Sequence, residues 1–482
     1  MPIIHTSSTR RGRRPLPRLA LAGALALPLA GCSLDSILEV SDPDVVPASV
    51  VRDPANLPGV RNGVLGDFAV GFSGQGLNTE ALIASVGLFT DEMYHSGTFG
   101  TRREVDKRSI EVDNSGMTTV FRNLHRARRA AEAAADLFAA GAPNTASHAE
   151  VTNLAGYTYV FFGENYCSGV PFSRLKEDDS FEFGAPQTTE QIFTTALQRF
   201  DQGLALATTA KSAPQQNLAR IGRARVLLDQ GRFADAAAAV QGVPTGYRYL
   251  VEHSDNTTRQ INGVWQVTFG TRRYGVASNE GGNGLVFRQG SSQSRASQDP
   301  RVPYTRTNSR AVDAPFAHFF QLKYPERGSE VVLASGIEAR LIEAEAALRS
   351  GAAGVATFVA KHNEIRATVG LPPLVAADVS AMTQKEREDL HFRERAFWLY
   401  LTANRLSDMR RLVRQYQRNP ETVFPTGVYS RLLYRPALGS SAVPDDQLPR
   451  RADGTYGNDV AFPIPFDEQN NPQFEQCIDR KA

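Results

Sequence analysis

Ile337-Glu338-Ala339-Arg340-Leu341-Ile342-Glu343-Ala344-Glu345-Ala346-Ala347-Leu348-Arg349-Ser350-Gly351 is the stretch from which the fold is read. Its apolar residues recur at helical spacing, which predicts a helix over 336–350. Gly351 stands where a helix ends by turning left-handed, and a second helix is expected over 354–368. An earlier segment repeats the plan, with helices expected over 217–230 and 233–241, hinged at Gly231. Ala224, Leu228 and Gly231 align with Ala344, Leu348 and Gly351 at a constant offset of 120 residues. Small residues at these positions let paired helices approach closely.

After Gly231, Arg232-Phe233-Ala234-Asp235-Ala236 looks like the turn of a tetratricopeptide hairpin. The copies do not follow in tandem at about 34 residues, and generic αα-hairpins lead to the same all-α scaffold. Further amphipathic helices are predicted over 117–140, 149–163 and 188–207, the last opened by Thr188-Thr189-Glu190 as capping chemistry. A long helix is predicted over 383–414. Helical periodicity fades over 242–335, where aromatic residues are scattered among Gly, Ser, Asn and Arg. Loops with short strands are expected there, one of them at Gly263–Phe269 with Trp265 in the core. Residues 415–482 carry many prolines and read as loops; long loops on a rigid scaffold usually carry recognition.

Composition narrows the function. The 482 residues hold 53 Lys+Arg against 51 Asp+Glu, which argues against a nucleic-acid binder. The first 31 residues include Arg10, Arg11, Arg13, Arg14 and Arg18 and no acid, then an apolar run from Leu19 to Leu29. Eleven residues rise only about 16 Å as a helix, too short for a bilayer, so 1–31 reads as a secretory signal. The Arg10-Arg11 pair lacks a matching twin-arginine pattern, which favours ordinary secretion. Leu29-Ala30-Gly31-Cys32 matches a bacterial lipobox, making Cys32 the lipidation site and 32–50 a lipidated tether. Ser33 after the cysteine permits outer-membrane delivery, and Asp35 and Glu39 hint at surface export. Cys167 and Cys477 could then pair as one disulfide or remain two buried thiols.

Motifs for chemistry are scarce. No P-loop, HExxH, GxSxG or CxxC occurs, and the eight histidines show no metal-ligand spacing. No cofactor is expected. Asp91-Glu92 and Glu177-Asp178-Asp179 could seed a carboxylate pair for glycoside hydrolysis, though neighbouring acids more often form a solvated face. Sugar rings stack on Tyr and Trp while Asp, Asn and Arg bind their hydroxyls. Leu88 through Gly97 supplies those residue types, as does Arg272-Arg273-Tyr274 with Ser278-Asn279. The expected ligand contacts are Asp91, Tyr94, His95, Arg102, Tyr274 and Asn279, arranged for shallow aromatic stacking.

These features resemble, in order, the SusD/RagB outer-membrane nutrient-binding lipoproteins. Cys32-Ser33-Leu34-Asp35 with Glu39-Val40 is similar to the family's lipidated start, and Phe89-Thr90-Asp91-Glu92 to its early loop. Gly169-Val170-Pro171-Phe172, Asp299-Pro300-Arg301 and Lys323-Tyr324 resemble its middle region. Glu338 through Ala346, Asn363-Glu364-Ile365-Arg366 with Gly370-Leu371, Glu394-Arg395, Arg405, Asp408, Arg410-Arg411 and Phe462-Pro463-Ile464-Pro465 resemble its C-terminal signatures. Trp398 and Thr402 depart from a usual Glu, and Ala403 from a common Gly. Arg405 and Asp408, three apart, are expected to face each other.

The resemblance implies a mainly α fold: tetratricopeptide-like helix pairs forming an α-α superhelical scaffold, a loop-rich ligand-binding face and a few short strands. Residues 51–482 would form one domain, with an N-terminal helical part (51–241), a loop-rich aromatic insert (242–335) and C-terminal helices with a loop-rich tail (336–482). It implies a non-catalytic lipoprotein of the outer membrane, facing the exterior. Such a protein captures a nutrient, here expected to be an oligosaccharide, and delivers it to a SusC-like TonB-dependent transporter. The loop around Asp91–Arg103 is a common ligand contributor in the family. Rival readings are a surface glycosidase and a tetratricopeptide-type adaptor for envelope assembly.

Overall fold

A computed structural model describes residues 53–482 apart from 78–79, 177–179, 280, 283, 293, 307–309, 314–315, 434–447, 475 and 479–482. The signal peptide, Cys32 and the tether lie outside the described residues, as do Asp35, Glu39 and Glu177-Asp178-Asp179. The described residues belong to one compact unit. The fold is mainly α, with tetratricopeptide-like helix pairs and a few short strands. No described helix is long and apolar enough to cross a membrane.

The helices of the first half are α1 (Leu57–Phe72), α2 (Leu82–Phe89), α3 (Gly100–Asp106), α4 (Ser115–Gly141), α5 (Ala146–Asn165), α6 (Thr189–Thr209), α7 (Ala213–Asp229) and α8 (Phe233–Ala239). The second half holds α9 (Gly336–Arg349), α10 (Val355–Ala367), α11 (Ala376–Ala381), α12 (Gln384–Trp398) and α13 (Arg405–Tyr416). Successive helices pack as neighbours from α4 to α8, and α9 joins the two halves by packing on α7, α8, α10 and α12.

Helix α5 lies at the centre, buried without a break from His148 to Asn165. Its close approach to α6 depends on missing side chains. A Cβ at Gly163 would lie 2.5 Å from the Phe193 ring, and one at Gly222 of α7 would lie 2.3 Å from Phe200. Both phenylalanines of α6 therefore key into neighbouring backbones, which a methyl group would displace. Thr188 and Gln191 form a reciprocal capping box at the start of α6.

The two halves are tied by buried charge. Glu345 of α9 accepts from Arg411 Nη1 at 2.5 Å, Tyr416 Oη at 2.7 Å and His391 Nε2 at 3.1 Å. Asp408 takes Arg395 Nε at 2.9 Å and Arg411 Nη2 at 2.8 Å, and does not pair with Arg405 as its spacing suggested. Arg410 donates to the Glu164 carbonyl at 2.6 Å, fastening α13 to the end of α5. Arg225 clasps the Glu164 carboxylate with two bonds of 2.5 Å.

Two expected elements differ from the structure. The predicted helix over 383–414 is broken between Trp398 and Arg405, with Leu401 and Ala403 at φ 51° and 61°. Distant side chains take the backbone groups this break releases. Leu401 N donates to Glu92 Oε1 at 3.0 Å, Tyr324 Oη to the Leu401 carbonyl at 2.9 Å, and Lys323 Nζ to the Tyr400 carbonyl. The predicted strand at Gly263–Phe269 is instead a helical turn continuing into a wider one through Gly270. Asn262 caps it by accepting from Trp265 N at 3.0 Å. Trp265 is only half-buried, its Nε1 donating to the Pro325 carbonyl at 3.1 Å.

The strands pair in twos. Met93–His95 (β1) runs antiparallel to Tyr274–Val276 (β3), and Arg248–Val251 (β2) to Val331–Ser335 (β4). Val428–Leu432 (β5) pairs with Arg450–Thr455 (β6). Cys167 and Cys477 are joined in a disulfide across 310 residues of sequence.

Burial alone would push the Glu345 carboxyl up, but Arg411, His391 and Arg395 hold it well below the usual range. A depressed carboxyl stabilises the fold above its unfolded pKa of about 4.3 and loses that contribution as pH falls. Glu345→Gln should lower the unfolding free energy by about 3–5 kcal/mol at pH 7, since it strands buried arginines. The deficit should shrink as urea titrations move below pH 4; a loss under about 1 kcal/mol would show the network to be dispensable. Reducing the Cys167–Cys477 bond should cost about 2–4 kcal/mol, read as a melting point lowered by several degrees.

Candidate ligand-binding face

Three loop regions meet beside β1 and β3. They are the segment from α2 through α3, the turn before β3, and the β5–β6 hairpin. The α2 helix is buried on every side, and Asp91, just beyond it, turns the chain at φ 55°. The Asp91 carboxylate accepts from Gly281 N at 3.1 Å and from Tyr456 Oη at 3.2 Å. Glu92 is wholly buried, and burial first of all raises its carboxyl to about 7. Asp91 and Glu92 therefore hold loops in place and do not form an open carboxylate pair.

Strand β1 presents its side chains inward. Tyr94 stands opposite Gly275, where a Cβ would lie 2.8 Å from the Tyr94 ring, and donates to the Ala317 carbonyl at 2.6 Å. His95 N donates to Asp106 Oδ2 at 2.7 Å, which also receives Tyr429 Oη at 2.6 Å. The His95 ring meets Tyr274 edge-on at 5.6 Å. Burial, then the fields of Arg102, Arg431, Arg273 and Arg103, hold the His95 ring well below its ordinary pKa, so it is neutral near pH 7.

The six expected ligand residues thus fall into two groups. Asp91, Tyr94, His95 and Tyr274 are all buried, and the first three are fixed by hydrogen bonds to neighbouring chain. The shallow stacking platform expected from Tyr94 and Tyr274 is therefore not on the surface; their rings form the floor beneath it. Arg102 and Asn279 are partly exposed. Arg102 lies over Phe99 at 5.1 Å and Tyr274 at 5.7 Å, and is held by Glu80 at 2.5 Å. Asn279, at φ 61°, lies with its side-chain amide against the Gly282 and Gly284 carbonyls.

Other side chains that line this region were not among those expected. Phe99 is 51% exposed and has Arg273 over its ring at 4.3 Å. Arg431 and Arg451 both lie over Phe316, at 3.9 and 4.6 Å. Arg103 and Arg431 share Asp453. The pair Arg272-Arg273 is visible in sequence, but the convergence of α3 and the tail hairpin upon it is a tertiary fact. Elsewhere, one open hollow of about 960 Å³ lies between the helix pairs, beside Phe233, Arg349 and Lys361. Another, of about 950 Å³, lies beside Arg61, Glu150 and Tyr249. Among the described residues, no group of three or more His, Cys, Asp or Glu could hold a metal ion.

No family model and no curated protein matches the sequence. Solved structures do match the fold. A SusD-like protein from Bacteroides fragilis superposes with a TM-score of 0.63 at 14% identity, covering 92% of this chain and 99% of that one. A SusD-like carbohydrate binding protein from the same species gives 0.62 at 13%, covering 86% and 98%. A SusD-like carbohydrate binding protein from Bacteroides vulgatus gives 0.60 at 13%, covering 87% and 97%. The chain has the SusD fold over nearly its whole described length.

Tyr94→Ala should destabilise the fold by about 3–5 kcal/mol by emptying a buried aromatic site. Tyr94→Phe should cost about 1–2 kcal/mol by stranding the Ala317 carbonyl. Thermal melts followed by circular dichroism read both; a Tyr94→Ala protein as stable as the parent would return Tyr94 to the surface.

Proposed function

We propose that this chain is a lipid-anchored SusD/RagB family protein of the outer membrane. It captures a glycan and passes it to a SusC-like TonB-dependent transporter without cleaving it. The observation that carries this reading is the fold, shared with a SusD-like structure over 92% of this chain and 99% of that one. Two of the similar structures are described as carbohydrate binding. The lipobox at Leu29–Cys32 supports the anchor, and the ordered C-terminal motifs support membership of the family.

The glycosidase alternative loses one of its two candidate pairs, because Asp91 and Glu92 are buried and committed to loop contacts. Asp91, Tyr94, His95, Arg102, Tyr274 and Asn279 remain in this reading as the frame of the ligand face. Arg102 and Asn279 are the two of them within a ligand's reach.

Purification of the full lipidated chain from native outer membranes in mild detergent tests the assignment. A TonB-dependent barrel should come along in stoichiometric amount, and a glycan panel should bind without release of reducing ends. Recovery in a soluble or inner-membrane fraction with no barrel would contradict the transport role and favour the adaptor reading.

A further inference from the structure

The mature sequence is slightly acidic overall, with 48 basic against 51 acidic residues. The loop face is the opposite. Arg102, Arg103, Arg273 and Arg431 all bear on the one buried ring of His95. Arg451 shares Phe316 with Arg431, Lys107 lies over Tyr429 of the same hairpin, and Arg272 adjoins Arg273. Three acids answer them at close range: Glu80 on Arg102, Asp453 on Arg103 and Arg431, and Asp313 acting on Arg273. Among the described residues, Arg272, Arg273 and Arg451 make no ion pair.

Such a gathering opposes itself. Burial and the nearby Arg102 both lower the Arg273 pKa, so bringing these groups together works against their charge. An arrangement of this kind is relieved by a bound anion, which also gains charge-assisted hydrogen bonds from planar guanidinium groups. A second observation points to the same place. Both ring nitrogens of His95 and Oδ2 of Asp313 are buried without a partner. Gly97 packs closely against both, since a Cβ there would lie 2.7 Å from the His95 ring and 3.1 Å from Asp313 Oδ2. Exposed Phe99 and Val312 add apolar surface for a pyranose face.

Resting on the glycan-capture reading above, we infer that the ligand is an acidic oligosaccharide bearing carboxylate or sulfate groups. Its charges are held by Arg272, Arg273, Arg103 and Arg451. Phe99 fixes the spacing of Arg102 and Arg273 by lying against both.

Calorimetric titration of the full chain in detergent micelles tests this with three hexasaccharides. One is oligogalacturonate, one is its fully methyl-esterified form, and one is a sulfated glycosaminoglycan. An acidic ligand should bind at least tenfold tighter than the neutral ester and weaken as salt rises. Which acidic hexamer binds tells carboxylate from sulfate recognition. The Arg272→Gln/Arg273→Gln double variant should lose at least fivefold in acidic-ligand affinity with an unchanged melting point, since neither side chain donates a hydrogen bond among the described residues. Equal affinity for ester and acid, or a double variant that binds the acid normally, would overturn the acidic assignment and leave glycan capture standing. Binding of none of the three, nor of any member of a neutral glycan panel, would overturn both.

Discussion

A carboxylate with no access to water, Glu345, is the constraint on which the rest of the structure depends. An isolated buried charge is too unfavourable to persist, so its partners must be present and well placed. Arg411 and Tyr416 come from α13 and His391 from α12, while Asp408 balances the second positive charge with Arg395. These bonds fix the angle at which α12 and α13 leave the α9–α10 pair. The chain between α12 and α13 then meets Glu92, which takes the Leu401 amide. From Glu92 the chain runs into β1, to His95 and on to Phe99. The scaffold's buried ion pairs and the outer loop face are thus two ends of one continuous set of contacts.

Much of the scaffold was legible in the sequence. The paired helices around Gly231 and Gly351 form at the expected places, because periodic burial and a left-handed glycine are local signals. The break at 399–404 was not legible. Residues 383–414 keep helical composition throughout, and the contacts that open the chain there come from Glu92, Lys323 and Tyr324, far away in sequence. One clue stood in the departures: Ala403 occupies a place where glycine is common in the resembling family, and it takes φ 61°. At 263–270 an apolar alternation was overruled by a capping Asn262, a side-chain effect that periodicity does not register.

In the loop region, the sequence does not show which side chains reach solvent. Leu88 through Gly97 combines aromatic and polar residue types, the family resemblance points to Asp91–Arg103, and both segments border the loop face. Period-two reasoning could not say which side of a three-residue strand faces outward, and β1 turns Tyr94 and His95 inward. The residues left at the surface come from α3, the turn before β3 and β6, three regions that only the tertiary fold assembles. Near-neutral total charge concealed their common sign. Local charge is set by which loops converge, and an average over 482 residues erases it.

Hydrogen exchange of the full chain with and without an acidic hexasaccharide tests most directly whether this loop face is the working surface of the scaffold. Protection should appear in the amides around 96–107, 271–276 and 450–455, with the helix pairs unchanged. Protection confined to the hollow beside Phe233, Arg349 and Lys361, with those three segments exchanging as before, would contradict the account.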